Sequence, residues 1–279
     1  MRNSRSGFTL IELLITLVIV SFVAMGIQRI FVTQQRLTVA QVEQANLQAN
    51  MRLGGTALLG ELLQMGPGSP GGNDLVAMGA SSLTYRSIRG EAIACQVSAT
   101  QVRILQTPSY LSRPITTSDS ILLFVENSPS MTSDDSWIAI PITAVNNAST
   151  CGASVATALT TTVATPLANI VLNAPVHIFE VMQIAQVTSG GENWLGARSV
   201  SAGQALQPVV GPLATTGLSF AYFDSLGNTT ATAANVRSIR VTLRGVSEDA
   251  VRQAGTSSTV QNLRDSVVFQ LSVRNSPLP

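Results

Sequence analysis

Few side chains in this 279-residue sequence are of a type that does chemistry, and the first of them is a lone acid. Glu12 is the only charge in residues 8–27, a run of 20 otherwise uncharged, mostly apolar residues. A charged side chain deep in hydrocarbon costs on the order of 3 kcal/mol by insertion scales, so the chemistry open to Glu12 is ion pairing with a nearby cation. His177, the sole histidine, lies in the strand-like run Val176-His-Ile-Phe-Glu-Val181. A single histidine there is expected to pack or to face solvent, not to move protons. Zinc needs three or four nitrogen or sulfur ligands, and the chain offers one His and two distant cysteines, Cys95 and Cys151. No metal site and no cofactor is expected. Ser133-Asp-Asp135 lacks the spaced acids of a calcium loop and reads as a turn. Gly66-Pro-Gly-Ser-Pro-Gly71 matches GxGxxG in form, but it follows a helical pattern and holds two prolines, whereas a dinucleotide loop opens a helix after a strand. With no phosphate-binding lysine loop, GxSxG or HExxH, the chain is not expected to be an enzyme.

The elements that would position these residues follow from the pattern around them. Residues 8–27 are long enough to cross a hydrocarbon core of roughly 30 Å. Arg2 and Arg5 precede the run and no basic residue follows until Arg29, which keeps the first residues cytoplasmic and exports the rest. An ordinary secretory signal would need a small-x-small cleavage site, and Val23-Ala-Met-Gly26 is a poor match. The helical pattern continues: Val39, Val42, Ala45, Ala49, Leu53 and Ala57 recur at steps of three and four. No proline occurs before the breaker cluster that starts at Gly66. A helix over residues 8–64 would be about 85 Å long, so its second half, residues 28–65, must pack on something outside the membrane. Gly54 and Gly55 weaken it locally and suggest a bend.

From residue 74 onward the periodicity changes to two. Ile239, Val241 and Leu243 alternate with polar residues, as do Val267, Phe269, Leu271 and Val273. Further strands are expected at residues 83–88, 92–97, 101–106, 121–126, 137–142, 176–187 and 218–223, with a turn at Ser225-Leu-Gly-Asn228. The Ala/Thr-rich residues 148–166 and the segment 189–216 read as loops. Residues 245–265 read as a connection holding a short helix near 247–253. The fold class expected is α+β, a long N-terminal helix laid on a mostly antiparallel sheet.

Charged residues make up 11% of the chain, against roughly 25% in an average soluble domain. The formal net charge is +1, which offers no basic footprint for nucleic acid. All 16 basic residues are arginine. Two cysteines are too few for a disulfide scaffold. In an oxidising compartment they would form one bridge, Cys95–Cys151; otherwise they are two buried thiols.

Gly7-Phe-Thr-Leu-Ile-Glu12, after a short basic leader, resembles the processing site of type IV prepilins and pseudopilins. The resemblance implies cleavage between Gly7 and Phe8 by a prepilin peptidase and methylation of the new Phe8 amine. It also implies pairing of Glu12 with the Phe8 amine of a neighbouring subunit. Residues 1–7 would be the leader, 8–27 the membrane anchor and filament core, and 74–279 the exported head. Met51-Arg-Leu-Gly-Gly55 through Glu61-Leu-Leu-Gln-Met-Gly66 resembles the helix end of PilW-type minor pilins. Gly217-Leu-Ser-Phe-Ala-Tyr-Phe-Asp224, Val236-Arg-Ser-Ile-Arg-Val-Thr-Leu243 and Leu263-Arg-Asp-Ser-Val-Val-Phe-Gln-Leu-Ser-Val-Arg-Asn275 resemble their late strands. The implied partners are the peptidase, other minor pilins, the major pilin and the inner membrane. The implied location is a single-pass inner-membrane protein with a periplasmic head, then the pilus. Pseudopilin J of type II secretion shares the pattern, and a tip module for adhesion or DNA binding is a further alternative.

Overall fold

The apolar N-terminal run and the regular spacing that follows it produce one uninterrupted helix. The computed structural model describes residues 9–63, 65, 74–107, 110–126, 128, 130–161, 170–252 and 260–273. Helix α1 runs Leu10–Leu63, about 81 Å at 1.5 Å per residue. The breaker cluster expected to end it lies outside the described residues. Twelve strands follow: β1 (Leu75–Met78), β2 (Ser82–Ser98), β3 (Gln101–Leu105), β4 (Tyr110–Leu111), β5 (Ser120–Val125), β6 (Ser136–Cys151), β7 (Ser154–Thr161), β8 (Pro175–Ser189), β9 (Glu192–Ser199), β10 (Gln207–Phe223), β11 (Ser238–Arg252) and β12 (Val260–Ser272). They form one connected sheet ordered β1-β2-β3-β7-β6-β5-β8-β9-β10-β11-β12, with β4 beside β2. This is the α+β architecture expected, a long apolar helix with a large antiparallel sheet.

The chain forms two compact units. One comprises Met1–Gln48 with Ser247–Arg264, and the other Ala49–Val246 with Asp265–Pro279. The second unit has a feature that strand patterning did not suggest. Strand β2 pairs β3 through residues 94–98 and β8 through residues 82–93. Strands β3, β7, β6, β5 and β8 then pair in succession, so six strands close on themselves as a small barrel. Its interior is filled by alternate residues, among them Ala92, Ala94, Val102, Ile104, Ile121, Leu123, Ile140, Leu159, Val176 and Ile178. It is a packed core and not a channel, as expected for so few strands. The first half of β2, the second half of β8, and β9 to β11 form an open wing beside it.

Several sequence expectations are corrected here. Residues 83–88 and 92–97 belong to a single strand, β2. The Ala/Thr-rich loop expected at 148–166 holds the end of β6 and all of β7, because burial inside the barrel suits small and β-branched residues. The segment 189–216 contains β9 and the first half of β10. The short helix expected near 247–253 is the outer part of β11, which runs to Arg252. Strand β1 was not anticipated.

The buried face of the helix is also different. Ala45, Ala49, Leu53 and Ala57 are exposed. The stripe that packs is Leu47, Met51, Leu58, Leu62 and Met65, with Gly54 and Gly55 at its centre. Longer side chains bury more apolar area than alanines, but the glycines interrupt the stripe when it is read as a hydrophobic pattern. The helical assignment of α1 continues through these glycines. They permit close approach: a Cβ on Gly54 would lie 2.8 Å from Leu243 and 3.0 Å from Val210, and one on Gly55 would lie 3.2 Å from Val267. Gly54→Val is therefore expected to lower stability by about 1–3 kcal/mol through overpacking. Gly60 has nothing within 4 Å of its Cβ position. Gly60→Ala should return the ~1 kcal/mol that alanine gains over glycine in an exposed helix. Denaturant titration of the two variants in detergent checks the contrast, and equal effects would show that Gly54 is not a packing position.

Candidate functional site

The helix N-terminus is built by a reciprocal cap. Thr9 stands just before the first helical residue, and its hydroxyl accepts from the Glu12 backbone N–H at 3.3 Å. The Glu12 carboxylate accepts in return from the Thr9 backbone N–H and the Thr9 hydroxyl, both at 3.0 Å. This is the capping box that a Thr-x-x-Glu spacing forms, and it leaves the acid at the positive end of the helix dipole. Sequence reasoning singled out Glu12 and missed Thr9, although Thr9-Leu-Ile-Glu12 carries the signature. Gly7 and Phe8 lie outside the described residues. Beyond the cap, α1 exposes a continuous apolar surface: Phe22, for example, is 70% exposed. The helix is long and apolar enough to cross a membrane. The cap can hold the helix start and present a carboxylate; it has no group for bond-making chemistry.

In the barrel a disulfide joins Cys95 of β2 to Cys151 at the end of β6, with Cα atoms 6.1 Å apart. Beside it the Arg103 guanidinium donates to the Thr150 carbonyl at 3.0 Å and to Gln96 Oε1 at 2.9 Å. His177 Nδ1 lies 3.2 Å from Glu91 Oε1, and its ring sits 4.9 Å from that of Trp137. Ser133-Asp-Asp135 falls at a single turn of 3-10 helix, Thr132–Asp134. Among the described residues no cluster of His, Cys, Asp or Glu could hold a metal.

A polar assembly in the second unit was invisible in the sequence. Tyr85 donates to Glu61 Oε2 at 3.2 Å, and Arg89 lies 3.9 Å from the same carboxylate. Arg89 Nε pairs with Glu180 at 3.2 Å, and Arg113 bridges Glu180 at 3.0 Å and Asp119 at 2.6 Å. Signs alternate along this chain from the last turn of α1 to the start of β5. Burial pushes the Glu180 carboxyl up, but bonds from Ser199, Arg113 and Arg89 outweigh it and hold the group below its ordinary range. Burial pushes the Tyr85 phenol well above its ordinary range, helped by the neighbouring Glu61 charge. Buried charges persist only when paired and hydrogen-bonded, so this network is structural. Asp74 is the exception. It is 2% exposed, and neither carboxylate oxygen has a hydrogen-bond partner among the described residues.

Residues 2–27 match the family described as the prokaryotic N-terminal methylation motif. No curated protein and no solved structure matches the chain. The motif and the apolar helix it opens support a type IV pilin-like protein, either a pilin or a pseudopilin. The motif implies handling by a prepilin peptidase, and the helix suggests membrane anchoring.

Proposed function

We propose that this chain is a minor pilin of the PilW type, a structural subunit and not an enzyme, that takes part in starting and assembling a type IV pilus. It enters the inner membrane as a prepilin with residues 1–7 as leader. It is cut between Gly7 and Phe8, methylated on Phe8, and carries residues 74–279 as a periplasmic head until it joins the filament at the cell surface. Its partners are the peptidase, other minor pilins and the major pilin. The observation that carries this reading is the motif at residues 2–27 opening a 54-residue helix whose apolar first span has no cover among the described residues. A second exposed pair, Val42 and Leu53, leaves apolar surface for neighbouring helices. The test is mass spectrometry of the mature N-terminus. Methylated Phe8 is expected, and a start near Met25 would overturn the reading in favour of an ordinary signal peptide.

The pseudopilin alternative rests on the same motif and differs in which assembly the subunit enters. Genes for a secretion gate beside this one would favour it.

The capping box sharpens the test of Glu12. Glutamine also completes a capping box, so Glu12→Gln should keep the helix start while removing the charge. Pairing with a neighbour's Phe8 amine predicts that Glu12→Gln and Glu12→Ala both insert and are cleaved, yet both are depleted from pili. Quantifying membrane and pilus fractions at matched expression decides this. A pilus fraction retained by Glu12→Gln would show that the cap matters and the ion pair does not.

A further inference from the structure

Within the first unit, the outer part of the β11–β12 pair lies against the helix. The Asp249 backbone N–H donates to Glu43 Oε2 at 3.4 Å. Ser247 ties the two strands together: its hydroxyl accepts from the Leu263 N–H at 2.9 Å, and its carbonyl accepts from Asn262 Nδ2 at 2.7 Å. Between helix and strands runs a groove of about 410 Å³ lined by Val32, Gln35, Arg36, Val39, Ala250, Val251 and Val260.

Two features select its occupant. Phe22, Met25, Arg29, Val32, Arg36 and Val39 follow one another at steps of three and four, so they form a single stripe on one helix face. The groove is the upper end of a stripe that begins in the apolar segment. Arg29 and Arg36 lie on that stripe, exposed, and among the described residues neither takes part in an ion pair. Apolar residues Ile30, Phe31 and Val32 continue past Arg29, which places residues 29–32 at the edge of the hydrocarbon. Arg36 stands about 10 Å beyond Arg29 along the axis. Helix side chains lean toward the N-terminus, which brings Arg36 back toward the interface, while Arg29 at the hydrocarbon edge snorkels outward to it, so both guanidinium groups reach headgroup depth.

We propose that the helix face below this groove binds an anionic phospholipid, with an acyl chain along the Phe22–Met25 stripe and the phosphate between Arg29 and Arg36, the latter at the polar lip of the apolar groove. The inference rests on the membrane-anchor reading above. The site would fix the depth and rotation of the helix in the bilayer before the subunit leaves it. A neighbouring subunit's helix is the rival occupant, and it would need a carboxylate facing both arginines.

The test uses the full chain, solubilised from membranes and titrated with phosphatidylglycerol or phosphatidylcholine under native mass spectrometry. The wild type should retain phosphatidylglycerol preferentially. Each arginine near a charged lipid surface contributes about fivefold in affinity, so Arg29→Gln with Arg36→Gln should lose roughly 25-fold. Arg36→Lys should keep most of the preference. A photoreactive side chain at position 39 should cross-link to lipid in intact membranes. Equal retention of the two lipids, or no change in the double variant, would overturn the proposal. So would a cross-link from position 39 into a protein helix. Release of the chain by alkaline extraction would overturn the anchor reading itself, while a resident chain without lipid preference overturns this inference alone.

Discussion

Asp74→Asn is expected to stabilise the fold at pH 8 by about 2–4 kcal/mol and to abolish a pH dependence that the wild type shows between about pH 4 and 7. The carboxyl is buried with no hydrogen-bond partner among the described residues. Burial pushes its pKa from 3.8 up to about 7, offset only in part by the charge of Arg86. Such a shift favours the protonated form in the folded state. Its stabilising balance is therefore intact below the unfolded value near 4, declines as pH rises toward 7, and is flat above that. Three units at 1.36 kcal/mol each set the upper end of the range. Asparagine matches the protonated acid in shape and never ionises, so the penalty at high pH disappears. Glu180, held below its ordinary range, acts in the opposite sense, with stability lost as acid protonates it. Subtracting the two stability curves isolates Asp74, since Glu180 is common to both. Denaturant midpoints at pH 4, 5.5, 7 and 8 for wild type and Asp74→Asn provide the measurement. Parallel curves would show that the carboxylate is solvated or paired in solution.

Removing the Cys95–Cys151 bridge is the other large effect expected. The cysteines are 56 residues apart, and the chain-entropy relation gives about 4 kcal/mol for closing a loop of that size. The bridge ties β2 to the end of β6 within the closed barrel, and the Arg103 bonds to Thr150 and Gln96 join the same two strands without using the sulfur atoms. Cys95→Ser with Cys151→Ser should fold at low temperature and melt well below the wild type. Wild type treated with reductant should melt with the variant. If the oxidised, reduced and substituted forms share one midpoint, the cross-link restricts little in the unfolded chain. In an oxidising compartment the expected state is the bridged one.

The parts legible without a structure were those set by neighbours in the chain. A 20-residue apolar run and the absence of proline define the helix, whatever it later packs against. Clean alternation at 239–243 and 267–273 marks strands with one wet face and one dry face. The methylation motif over residues 2–27 was readable because it is a short contiguous pattern, and Thr9 was equally readable through its spacing to Glu12. Long-range pairing decided the rest. The runs of β7 and β10 carry alanine, threonine, glycine and proline that read as loop; barrel closure and the wing make them strands by pairing both of their edges. The packing face of α1 turned on Gly54 and Gly55, which look like weak points in a helix until Leu243, Val210 and Val267 are placed over them. The chain of charges from Glu61 to Asp119 and the solitary Asp74 depend on burial. Burial is a property of the folded surface: a carboxylate costs little in water and several kcal/mol in a dry interior, and no local pattern tells the two apart.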